Sequence, residues 1–256
     1  MSIQFNQIAY GPIKSRRLGN SLGINLMPAH GKFCTFDCIY CEIGWNADGR
    51  SDRRIPPLEE VKEAIEAKLR SCAEEGIAID SITFSGNGEP TLHPDFPAII
   101  DFMTEARSRW CAEAKISVLS NATTIGRPEI VEALKKVDNP ILKIDSAVEE
   151  IARMIDRPGG NYSVAETETQ LRQFEGNFVL QTMFLKGMVD GKNLDCTDPE
   201  SAAQWQQLVL RLRPREVMMY SLDRTPPLDT IEKVSREEME KIAAPLVEAG
   251  INVMIK

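Results

Sequence analysis

Three cysteines crowd into the stretch KFCTFDCIYCEIG, residues 32–44: Cys34, Cys38 and Cys41, spaced C-x3-C-x2-C. Cysteines clustered in a chain kept reduced bind metal or do redox chemistry more often than they form disulfides. An iron–sulfur cube offers four irons, each taking one thiolate. Three thiols therefore hold three irons and leave the fourth open to nitrogen and oxygen donors of a substrate or cofactor. The alternative is a structural zinc site, with His30 completing H-x3-C-x3-C-x2-C. Zinc sites usually bring a second cysteine pair from farther along the chain. No such pair follows, since Cys72, Cys111 and Cys196 stand singly in helical or loop contexts.

A second constellation is TFSGNGEPTLHP, residues 83–94. Gly86 and Gly88 let the backbone turn tightly and approach a ligand, and Pro90 stiffens the exit. The Glu89 carboxylate with free backbone carbonyls suits a ligand ammonium; an ordinary glycine-rich turn is the plain alternative. Polar groups also end three further apolar runs: Ser120 and Asn121, Lys143 and Asp145, Tyr220 and Ser221. Lys143 and Asp145 are two apart, so they share one face of a strand. A charged pair inside an apolar strand is costly unless paired or liganded. That leaves two readings, a mutual ion pair or contacts to a ligand's carboxylate and ribose. Gln181 and His93 are weaker candidates for a catalytic role, His93 being the more structural in context.

The elements that must position these groups alternate. Short β-branched runs at 22–27, 81–86, 115–121, 141–146, 178–184 and 216–221 read as parallel strands covered on both faces. Amphipathic stretches between them read as helices, the first opening with Pro56 and Pro57 and stopping at Gly76. Six strand–helix units predict an α/β fold, a partial (β/α)6 TIM-like barrel in a single domain over residues 1–256. A doubly wound open sheet is the alternative. Residues 28–56 form a long loop between the first strand and its helix. In parallel barrels such loops make the active face, which is where the thiols fall.

With 43% hydrophobic and 27% charged residues the composition is that of an ordinary globular protein, and the net charge of −8 offers no global attraction to nucleic acid or anionic membranes. Lys14–Arg16–Arg17 and Arg50–Arg53–Arg54 are local basic clusters that read as solvated faces. No apolar run reaches the ~18 residues of a membrane span. MSIQFNQIAYG lacks a signal-peptide pattern, so a cytoplasmic location with no membrane partner is expected.

CTFDCIYC, with Tyr40 before the last cysteine, resembles the motif of radical S-adenosylmethionine (radical SAM) enzymes. YGPIKSRRLGNSLGINLMP, FSGNGEPTLHPDF, LKIDS, QTMFLKG and YSLDRTP extend the resemblance over roughly residues 9 to 230. Together they are similar to an iron–sulfur oxidoreductase branch related to the wyosine-forming tRNA enzymes. The resemblance implies a [4Fe–4S] cluster on Cys34, Cys38 and Cys41, and S-adenosylmethionine contacts at Tyr40, Gly86, Asn87, Gly88, Glu89, Ser120, Asn121, Lys143, Asp145 and Tyr220. It implies reductive cleavage of the sulfonium to a 5′-deoxyadenosyl radical, which takes hydrogen from a substrate. The expected partners are a small-molecule or peptide substrate and an electron donor such as flavodoxin or ferredoxin. A tRNA substrate is disfavoured by the negative charge. A glycyl-radical-type activating enzyme, and a non-enzymatic iron–sulfur or zinc module, are further alternatives.

Overall fold

In this computed structural model, residues 5–15, 18–48 and 52–256 are described. The chain order is β1 (Ala9–Ser15), β2 (Gly19–Ile24), α1 (Leu58–Glu74), β3 (Ser81–Phe84), α2 (Phe96–Trp110), β4 (Lys115–Ser120), α3 (Pro128–Lys135), β5 (Asn139–Lys143), α4 (Glu149–Asp156), α5 (Val164–Leu171) and β6 (Val179–Met183). It continues through β7 (Leu185–Val189), β8 (Lys192–Asp195), α6 (Pro199–Leu212), β9 (Glu216–Tyr220), β10 (Ile231–Lys233), α7 (Arg236–Glu248) and β11 (Asn252–Ile255).

One sheet runs β1-β2-β3-β4-β5-β6-β9-β11. All its pairings are parallel except β1 with β2. The six expected strands are β2, β3, β4, β5, β6 and β9, each followed by at least one helix before the next. No pairing joins β1 to β11 among the described residues, so the barrel is partial. A small antiparallel sheet, β10-β7-β8, was not expected. Its hairpin turns at Asp190–Gly191, both at positive φ, a type I′ pair legible as the dipeptide Asp-Gly.

Alternation along the strands separates two faces. Leu22, Ile24, Ile82, Phe84, Ile116, Val118, Leu142, Leu180 and Val217 join the large core shared with the helices. The opposite face holds a smaller apolar group, Ile141, Val179 and Met218, with Leu18, Leu119 and Met254 against it. Beside that group runs a chain of hydroxyls: Ser21 to Thr83 at 2.7 Å, Thr83 to Ser81 at 3.1 Å, and Ser81 to Ser117 at 3.0 Å. The strands are thus less uniformly apolar than expected. A polar inner wall leaves room that a packed apolar core would fill.

The thiol loop is stitched to the glycine loop after β3. Phe33 N–H donates to Asn87 O at 2.9 Å, and Glu89 N–H donates to Phe33 O at 3.1 Å. Gly88 sits at φ +148°, and a Cβ there would fall 1.8 Å from the Phe33 carbonyl oxygen. Gly88→Ala therefore breaks this bridge, at an expected cost of about 2 kcal/mol or more from two lost hydrogen bonds and the overlap. Gly76→Ala, at positive φ but with nothing within 4 Å, is the control; a left-handed alanine costs about 1–2 kcal/mol. Denaturant midpoints of the two variants check the order.

Candidate active site

The loop between β2 and α1 is shaped by its own polar side chains. Asn46 donates its amide to Cys34 O at 3.2 Å and Phe36 O at 3.0 Å. Asp37 Oδ1 accepts from Asn46 N–H at 2.8 Å and from Lys32 Nζ at 3.1 Å. Lys32 Nζ also donates to Gly44 O at 3.1 Å. Asp37 N–H and Ile39 N–H donate to Asp156 O and Ile155 O, fixing the loop to the end of α4.

Cys34, Cys38 and Cys41 are all free thiols, with Cys38 buried. Cys34 Sγ accepts from Phe36 N–H at 3.4 Å and Asn121 Nδ2 at 3.5 Å. Cys38 Sγ lies 3.1 Å from Lys143 Nζ. Burial pushes the Cys34 thiol up to about 12 and the Cys38 thiol well above its ordinary value. A metal binding here must displace those protons, so binding releases acid.

Three cysteine thiols on one loop are donors of the kind an iron–sulfur cluster takes. His30 is exposed, and its backbone N–H donates to Asp52 Oδ2 at 2.9 Å. Cys72 and Cys196 are buried elsewhere, in α1 and after β8.

In the glycine loop, the Glu89 carboxylate already accepts three hydrogen bonds. Oε1 accepts from Thr91 N–H at 3.1 Å and Thr91 Oγ1 at 2.6 Å, while Oε2 accepts from Asn121 N–H at 2.7 Å. Glu89 thereby ties the loop after β3 to the end of β4. Desolvation raises its pKa against these hydrogen bonds. Asn87, fully buried, donates its amide to Phe5 O and Pro28 O, both at 2.8 Å, so its side chain is a brace. Ser120 Oγ accepts from Ala122 N–H at 3.1 Å. Asn121 Nδ2 reaches Thr35 Oγ1 at 2.8 Å as well as Cys34. His93 is no catalytic candidate: Nε2 pairs with Pro56 O at 2.8 Å and Nδ1 accepts from Asp95 N–H at 3.1 Å. Ser221 bonds Phe184 O and Val234 N–H, a structural role.

Lys143 and Asp145 form an ion pair at 3.1 Å, and a third partner joins them. Asp156 Oδ1, from the end of α4, is in close contact with Lys143 Nζ. Tyr40 links this group to the thiol loop: its hydroxyl donates to Asp145 Oδ2 at 2.6 Å and accepts from Lys143 Nζ at 3.0 Å. Burial pulls the Lys143 ammonium down, yet the charges of Asp145 and Asp156 hold it well above the usual lysine range. Asp156 was not visible as a site residue, because α4 itself was not expected.

At the C-terminal ends of the strands lies a cavity of ≈ 440 Å³, lined in part by Tyr10, Tyr40, Cys41, Gly86, Gln181 and Tyr220. Tyr40 and Tyr220 meet edge-on at 6.5 Å. Gln181 is nine-tenths buried, and its Nε2 has Met218 Sδ at 3.8 Å as a neighbour. Of the basic clusters, Lys14 lines the cavity and Arg54 pairs with Glu60. Arg16, Arg17 and Arg50 lie outside the described residues.

The model of the Radical SAM superfamily matches residues 29–192, from the thiol loop to the start of β8. The chain belongs to the radical SAM superfamily. Membership makes it an enzyme of that general kind.

It is 28% identical over 242 residues to a UPF0026 protein of Methanocaldococcus jannaschii, covering 93% of this chain and 70% of the relative. A UPF0026 protein of Synechocystis is 27% identical, covering 86% of this chain and 77% of that protein. Streptococcus suis SuiB bound to S-adenosylmethionine has the same fold, with a TM-score of 0.66 at 15% identity, over 93% of this chain and 52% of SuiB. A radical SAM methyltransferase from Sphaerobacter thermophilus matches with a TM-score of 0.67 at 15% identity, over 92% of this chain and 65% of the other. The chain thus spans about half the length of SuiB. No helix among the described residues is long and apolar enough to cross a membrane.

Proposed function

We propose that this chain cleaves S-adenosylmethionine reductively at a [4Fe–4S] cluster held by Cys34, Cys38 and Cys41, and acts on a substrate in the adjoining cavity. The observation that carries this is the meeting of two motifs in one space: Cys41 and Tyr40 line the same cavity as Gly86. Bound there, a cluster on Cys34, Cys38 and Cys41 with S-adenosylmethionine beside it would supply one-electron radical chemistry to a substrate in the cavity.

The protein's own groups bind, orient and exclude. Lys143 and Asn121 donate hydrogen bonds to the sulfurs of Cys38 and Cys34. Such second-layer donors fix the ligands and their electronic character. Gly86, at φ +156°, leaves room for Asn25 behind the cavity wall, since a Cβ there would fall 2.4 Å from Asn25 Oδ1. The lining sets Ser21, Thr83, Ser85 and Gln181 beside Leu119 and Met183, and Lys14, Glu42 and Arg224 add charges of both signs. That lining suits a small molecule or peptide segment with hydrogen-bonding and apolar parts. A flavodoxin- or ferredoxin-type donor supplies the electron. The net charge of −8 argues against tRNA, whose phosphates need a basic face.

Metal analysis after anaerobic reconstitution tests this reading. We expect about four irons and four sulfides per chain, with S-adenosylmethionine binding only to the loaded protein. A colourless protein holding one zinc and no sulfide would sink it.

A further inference from the structure

We infer that Lys32 is an electrostatic tuning residue, which raises the reduction potential of the group held by the three cysteines; this rests on the cluster reading above. Lys32 stands two residues before Cys34, and no motif singles it out. The loop closes around it. Its Nζ donates to Asp37, between Cys34 and Cys38, and to Gly44, three residues past Cys41, both at 3.1 Å. Asp37 in turn holds Asn46, whose amide grips the carbonyls of Cys34 and Phe36. The ammonium therefore sits inside the turn that presents all three thiols. The fields of Cys41, Cys38 and Cys34 all act on it.

Its counter-charge is not equally deep. The Lys32 side chain is 2% exposed, whereas that of Asp37 is 30% exposed. Water screens the carboxylate more than the ammonium, so the pair presents a net positive field to the thiolates. Lys143 presents no such excess, because two buried carboxylates surround it. A buried lysine is also a costly way to close a loop that neutral hydrogen bonds could close. Adding one electron to the cluster makes the whole assembly more negative. A fixed cation beside it favours that state, and net charge and hydrogen bonding are known levers on cluster potentials.

The experiment is a redox titration of reconstituted protein, followed by electron paramagnetic resonance of the reduced cluster, with iron and sulfide counted in every sample. Lys32→Gln lowers the midpoint enough that the ratio of reduced to oxidised cluster falls about tenfold at fixed solution potential, which is 59 mV for a one-electron couple. Asp37→Asn, which removes the opposing charge and keeps an acceptor, shifts the midpoint upward. Lys32→Arg stays close to wild type.

A residue that merely props the loop would lower iron content in both variants and leave the surviving midpoint alone. Midpoints that do not move, or that move the same way in Lys32→Gln and Asp37→Asn, overturn the inference. Should Lys32→Gln take up no cluster, the upward shift in Asp37→Asn decides the matter alone, and its absence overturns the inference. Wild-type protein that takes up no cluster overturns the underlying reading. Loaded wild type with unshifted variants overturns the tuning role and leaves that reading intact.

Discussion

Cys38→Ala is expected to cut 5′-deoxyadenosine formation by roughly three orders of magnitude or more, a barrier increase of about 4 kcal/mol. Each iron held by the loop takes one thiolate, and the other three cysteines, Cys72, Cys111 and Cys196, stand outside it, in α1, after α2 and after β8. The metal-free fold should barely notice, losing about 1 kcal/mol, because a small buried side chain has been replaced by another. Iron content, 5′-deoxyadenosine yield and the denaturation midpoint of the metal-free chain separate the two effects. A variant that keeps its iron and its cleavage activity would remove Cys38 from the ligand set.

The second large effect is on stability. Lys143→Met leaves Asp145 and Asp156, both with side chains at 0% exposure, facing each other without a cation. Removing one partner of a buried ion pair costs about 3–5 kcal/mol, because the remaining charge has lost both water and counter-ion. Asp145 retains Tyr40 Oη at 2.6 Å and Met183 N–H at 2.9 Å, so it tolerates its charge better than Asp156 does. Asp156 Oδ2 is buried with no hydrogen-bond partner. Adding Asp156→Asn to Lys143→Met should therefore recover a substantial part of the loss. Urea denaturation of the metal-free single and double variants measures this. A single variant within 1 kcal/mol of wild type would show that the carboxylates do not depend on Lys143.

Candidate ligands are legible where they are local. Cys34, Cys38 and Cys41 are close in sequence, and ligand spacing needs no tertiary information. The parallel strands were legible because an apolar face must be buried against helices, whatever the topology. β1 was not, because AYGPIKS breaks its pattern with Gly-Pro and it pairs along only one edge. α4 opens on Val148 with no side-chain cap, so no start signal marks it, and with it went Asp156.

Asn87 and Glu89 stand in the sequence as expected S-adenosylmethionine contacts, and His93 as a weak catalytic candidate. Their roles were not readable, because these depend on which neighbours fill their hydrogen bonds. Asn87 meets Phe5 and Pro28 from distant parts of the chain, and Glu89 meets the Asn121 backbone across two strands. Lys143 and Asp145 were left between an ion pair and ligand contacts. The structure supplies the ion pair and adds the partner that makes it asymmetric. Lys32 carried no signal, since a lysine near a motif is usually a solvated one; only its burial distinguishes it.

The most direct test of the account is chemical. Protein reconstituted without oxygen, mixed with S-adenosylmethionine and a strong reductant, should yield 5′-deoxyadenosine and methionine in equal amounts. The yield should vanish when either the reductant or the iron is withheld. Protein that binds a full cluster and S-adenosylmethionine yet forms neither product under reducing conditions would contradict it.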